Sequence, residues 1–106
     1  MISRSTIPRR NARVRAPFEV QIAGRSFKVH DFSLRGVSIV APGVTMTIGE
    51  IFAGVLSIPM KQGEARIAVW LTVASLRPDV GVIGFSFGDP SEQLLTTLME
   101  YIESNR

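Results

Sequence analysis

Residues 66–76 read Arg-Ile-Ala-Val-Trp-Leu-Thr-Val-Ala-Ser-Leu, and within them Ile67, Val69, Leu71 and Val73 alternate with Ala68, Trp70 and Thr72. An extended backbone sends successive side chains to opposite faces, so this period of two commits the segment to a strand with one buried face. The signature recurs along the chain. Phe18, Val20 and Ile22 alternate with Glu19 and Gln21, and Phe27 and Val29 alternate with Lys28 and His30. Val37 and Ile39 share a face after Gly36. Phe52, Leu56 and Ile58 lie on one side of Ile51–Pro59, as Ile83, Phe85 and Phe87 do in Val80–Phe87. Ala23–Gly24–Arg25, Pro42–Gly43, Lys61–Gln62–Gly63 and Arg77–Pro78–Asp79 punctuate these runs as turns or loops. Six short strands at this spacing predict a closed or nearly closed antiparallel barrel, which protects its edges.

The period changes once, near the C-terminus. Asp89 can cap a helix, Pro90 suits the first helical position, and Glu92 sits where a capping-box acid belongs. Leu94, Leu95, Leu98 and Ile102 then follow a helical period, predicting a helix over 90–104 whose leucines are buried against the barrel or another subunit. The expected fold class is all-β with a C-terminal helix. A six-stranded antiparallel β-barrel domain over 13–106 follows a basic arm over 1–12.

A chain of 106 residues is one domain's worth, and 45% hydrophobic with 20% charged residues places it among folded proteins. It has no cysteine, which excludes a disulfide framework, a thiolate zinc site and a cysteine nucleophile. Its one histidine, His30, excludes histidine-rich metal sites. The longest uncharged apolar segments, Ile51–Met60 and Ile67–Leu76, are about half the ~20 residues that span a bilayer, so no membrane insertion is expected. No apolar stretch of signal-peptide type follows Met1, and the expected setting is cytoplasmic, alone or within a larger protein.

The formal net charge of +3 is unevenly spread. Residues 1–18 hold five arginines and no acid, whereas the rest hold seven basic and nine acidic side chains. Charged and without a sustained apolar period, the arm is expected to be mobile, and an anionic partner is sought there first.

No catalytic constellation is visible, so no enzyme is expected. His30 adjoins Asp31, but strand alternation would send the two to opposite faces. Gly81–Val82–Ile83–Gly84 has no following lysine and opens no helix, so its glycines read as strand packing or bulges rather than a phosphate loop.

Two segments carry binding chemistry. Arg9 and Arg13 form an Arg-x-x-x-Arg pair. Extended, they lie ~13 Å apart on one side of the backbone at ~3.3 Å per residue. Two guanidinium forks can then converge on one anion, gripping phosphate oxygens or the O6/N7 edge of guanine. Asp31-Phe32-Ser33-Leu34-Arg35-Gly36 is an Asp-x-Ser-x-x-Gly segment. Asp31 and Ser33 would share a face on an extended backbone. A carboxylate accepts the N1–H and N2–H donors that guanine offers in a row, and Gly36 permits positive φ or close approach of a ligand. Taken singly, the first segment also reads as a solvated basic arm and the second as an Asx-type turn. Strict alternation from Phe27 and Val29 would point Asp31 inward, so a bulge or strand end near His30 must turn it outward.

Together, an Arg-x-x-x-Arg pair before the first strand and Asp-x-Ser-x-x-Gly at the end of the second, in six strands with a C-terminal helix, resemble the PilZ domain family. Val80–Phe87 looks like that family's closing Gly-x-x-Phe strand. The resemblance spans nearly the whole chain and implies a bacterial receptor for the second messenger cyclic di-GMP. It implies that Arg9 and Arg13 hold guanine and phosphate groups, assisted by Arg10, while Asp31, Ser33 and Gly36 meet a guanine at the barrel surface. No cofactor or metal is implied beyond this ligand. The arm would relay the signal by becoming ordered, acting on a downstream protein or a fused effector domain. Two alternatives stand beside this reading. One is a degenerate PilZ-like protein-interaction module without nucleotide binding. The other is a basic-armed barrel for single-stranded nucleic acid, less favoured because it needs exposed aromatics and offers mainly Trp70.

Overall fold

The computed structural model describes residues 18–104. The arm over 1–12, with Arg9 and Arg10, lies outside the described residues, as does Arg13. Six strands follow in order: β1 (Glu19–Ile22), β2 (Arg25–Phe32), β3 (Gly36–Val40), β4 (Ile51–Met60), β5 (Gly63–Arg77) and β6 (Val82–Gly88), then helix α1 (Glu92–Ser104). Every pairing is antiparallel, and the sheet closes in the order β1-β2-β3-β6-β5-β4.

Local chemistry sets these elements. The β1–β2 hairpin turns on Ala23 and Gly24, both at positive φ, which suits the right-handed twist of the flanking strands. The expected alternation holds in β5 from Ile67 to Val73, where Ile67, Val69, Leu71 and Val73 are buried and Ala68 and Trp70 exposed. β6 starts at Val82 rather than Val80: Val80 N donates to Arg77 O and Gly81 N to Pro78 O, closing a turn in which Gly81 takes a φ of 67°.

The barrel core is filled by inward residues of all six strands, among them Val20, Phe32, Val37, Leu56, Leu71 and Phe85. α1 buries Leu94, Leu98, Tyr101 and Ile102 within the same chain. Tyr101, which the leucine pattern did not single out, meets the rings of Phe18 and Phe32 at centroid distances of 5.1 and 6.0 Å. The helix starts two residues later than expected, and its cap is Ser91: the Ser91 Oγ accepts from Leu94 N at 3.0 Å. Asp89 is no cap. It sits at a φ of 47° in the turn leaving β6.

Candidate functional site

The site is built on two β-bulges. In β2, Val29 pairs with Ile39 but Asp31 pairs with Ser38, so His30 is the extra residue. The bulge reverses the alternation: Phe27 and Val29 point inward, Asp31 is part-exposed, and Phe32 is buried again. In β5, Val73 pairs with Phe85 but Ser75 pairs with Gly84, so Ala74 is the extra residue. Without it, Ser75 and Arg77 would continue the inward face of Ile67–Val73; with it, both are exposed.

Between the bulged strands, β3 and β6 run uninterrupted. Asp31 pairs with Ser38, Ser38 with Gly84, and Gly84 with Ser75, forming a row across four strands. Three interstrand steps make that row ~14 Å wide. Its small side chains floor a concavity of about 420 Å³, bordered by His30, Asp31, Arg35 and Arg77. The Ser38 hydroxyl donates to Asp31 Oδ1 at 2.6 Å and so orients the carboxylate. His30 Nε2 lies 4.0 Å from Asp31 Oδ2. The bulge thus brings together two residues that alternation alone would separate.

The other motif residues are placed differently from the sequence expectation. Ser33 does not share the face of Asp31. The chain leaves the strand after Phe32, and Ser33 is 1% exposed. Its Oγ accepts from Arg35 N at 3.1 Å and its N donates to Gly36 O at 2.8 Å, so it holds the loop in shape. Gly36 lies flat against β6, where an added Cβ would strike the Phe85 carbonyl oxygen. Close approach of a neighbouring strand, rather than a positive φ, requires glycine there. Phe87 N donates to Arg35 O at 2.9 Å and ties the loop to β6.

Ser38, Gly84, Ser75 and Arg77 were not expected at the site from sequence, although Gly84 was read as a strand-packing or bulge glycine. Their signal is faint: small or polar residues at outward positions, two of them displaced by a bulge that small neighbours tolerate without breaking the pattern. Of the aromatics, Phe18, Phe85 and Phe87 are buried and Trp70 is 58% exposed. Among the described residues, no group of three His, Asp or Glu side chains gathers to hold a metal. No helix among them is long and apolar enough to cross a membrane.

The fold is similar to that of the Bacillus subtilis inhibitor of motility (MotI/DgrA), with a TM-score of 0.76 at 20% identity over 96% of this chain. The match covers 55% of that structure's chain, so this sequence spans about half its length. No curated protein matches the chain. The family model described as PilZ domain matches residues 4–104, which take in the Arg-x-x-x-Arg pair, both bulged strands and the helix. The chain therefore belongs to the PilZ domain family, whose members are generally non-enzymatic modules that bind cyclic di-GMP.

Proposed function

We propose that this domain binds cyclic di-GMP between the Asp31 concavity and the arginines of its N-terminal arm, and that ordering of the arm is the signal. The observation that carries the reading is the His30 bulge, which turns an otherwise inward aspartate onto a floor of small residues. Asp31 accepts the N1–H and N2–H groups of a guanine. Arg9 and Arg13 grip phosphate oxygens or the guanine O6/N7 edge, with Arg10 assisting. Ser33 and Gly36 act by shaping the loop that follows Asp31.

Chain connectivity supports this division. Val29 N donates to Phe18 O at 3.0 Å, and β1 runs antiparallel to β2. The chain before Phe18 thus joins the barrel beside the stretch of β2 that carries His30 and Asp31. Arg13 and Arg9 precede Phe18 by five and nine residues, a reach of up to ~16 and ~30 Å at ~3.3 Å per residue. The relative that inhibits motility extends well beyond the matched region. The signal would pass to a downstream protein or a fused effector domain.

Calorimetric titration with cyclic di-GMP tests the reading. A charge-assisted hydrogen bond contributes ~1.5–3 kcal/mol, so Arg9→Ala, Arg13→Ala and Asp31→Ala should each weaken binding by about ten- to a hundredfold. Saturating ligand should also slow tryptic cleavage at the arm arginines. Unchanged affinity in all three variants would overturn the assignment. So would a random single-stranded oligonucleotide that binds as tightly and is not displaced by the dinucleotide.

A further inference from the structure

We propose that Arg77 is a ligand-binding residue of this site, supplying a phosphate contact from the barrel itself. The inference rests on the cyclic di-GMP reading and deepens it.

Three observations carry it. First, the Ala74 bulge does for Arg77 what the His30 bulge does for Asp31. Each takes a residue that alternation would aim into an apolar core and presents it on the outer surface. Bulges concentrate where a side chain must be re-aimed beside a functional site. Second, both re-aimed residues border the same concavity, an acid from β2 and a cation from β5, with Ser38, Gly84 and Ser75 between them. Third, the arginine has no evident structural duty. Neither the His30–Asp31 contact nor the Arg66–Glu64 ion pair engages Arg77.

The chemistry of the ligand matches this polarity. A guanine nucleotide is a base whose Watson–Crick edge offers donors, joined through a sugar to a phosphate. A carboxylate on β2 and a guanidinium on β5, two residues along the strand from the Ser75 end of the row, address those two parts separately. The Gly84 position keeps the floor flat, because an added Cβ there would strike the Ser75 hydroxyl. A guanidinium grips phosphate oxygens with two parallel N–H donors, which an ammonium cannot reproduce. The barrel therefore carries its own acid and its own cation, and the arm arginines complete a site already half made.

Titration of the intact chain and Arg77→Ala with cyclic di-GMP tests the inference. The expected result is an affinity about ten- to a hundredfold lower in the variant, with an unchanged melting temperature. Arg77→Lys should recover only part of the loss. Because Arg77 and Asp31 are assigned to different groups of one ligand, their losses should be close to additive in the double variant. A parent chain that binds while Arg77→Ala binds equally well overturns the role of Arg77 alone. A parent chain that does not bind overturns the receptor reading with it. Full recovery by Arg77→Lys would overturn the bidentate contact.

Discussion

Two glycines of the β3–β6 ladder are kept for space, and they differ in what a methyl group would strike. At Gly36 the added Cβ meets the Phe85 carbonyl oxygen, a backbone atom held in the ladder by Val37–Phe85 pairing on one side and Val73–Phe85 pairing on the other. Relief would require moving a strand. At Gly84 it meets the Ser75 hydroxyl, the end of a side chain that can rotate away. Gly36→Ala should therefore cost ~1–3 kcal/mol, as overpacking of a rigid interior does. Its melting temperature should fall by about 4–8 °C per kcal/mol, read by scanning calorimetry. Gly84→Ala should stay within ~0.5 kcal/mol of the parent in stability. It should nonetheless weaken cyclic di-GMP binding by about five- to tenfold, because the methyl and the displaced hydroxyl stand on the proposed floor. Equal stability losses in the two variants would contradict this contrast.

At the scale of elements, alternation was legible and its interruptions were not. Strand faces are written in residue type, so Ile67–Val73 or Ile83–Phe87 could be oriented from sequence alone. The His30 bulge was legible only as a requirement, since Asp31 had to leave the face of Phe27 and Val29. The Ala74 bulge was hidden for a different reason: alanine and serine tolerate either face, and Arg77 reads as opening the Arg77–Pro78–Asp79 turn, whereas β5 runs on through it. Ser33 was misplaced because the motif was read as extended, whereas the chain turns after Phe32. The helix start was ambiguous for a related reason. Asp89, Pro90 and Ser91 all suit a helix N-terminus, and the Ser91 Oγ bond from Leu94 N together with the positive φ at Asp89 decides among them. That assignment has a consequence. Ser91→Ala removes the acceptor for Leu94 N and should cost ~0.5–2 kcal/mol. Asp89→Gly, at a φ that glycine adopts without strain, should change stability by less than ~0.5 kcal/mol. Chemical denaturation of both variants checks the order, and a larger loss for Asp89→Gly would return the cap to Asp89.

Across the whole molecule, the binding surface and the closure of the barrel meet at neighbouring residues of β2. Asp31 faces outward, while Phe32, the next residue, is fully buried and packs on Phe18 at 4.9 Å and on Tyr101 of the helix. Phe18 also leads into β1, so the start of the barrel, the binding strand and the helix converge on one aromatic cluster. Each such pair contributes ~0.5–1.5 kcal/mol beyond the area it buries. Tyr101 makes this closure sensitive to pH. Burial pushes its phenol above the ordinary value of 10.0, because the folded state disfavours the phenolate. A folded-state value raised above the unfolded one gives a stabilisation that is fully present below about pH 10 and is lost as pH rises through the folded-state value. The melting temperature should therefore hold between pH 7 and 9 as far as this group is concerned, then fall above pH 10 more steeply in the parent than in Tyr101→Phe, which keeps the ring and removes the titrating hydroxyl. Lysines also titrate in this range, so the difference between the two curves, not either curve alone, reports on Tyr101. Parallel curves from pH 8 to 11.5 would show that the phenol ionises as readily in the folded chain as in the unfolded one, and that the helix end is more open to water than its packing implies.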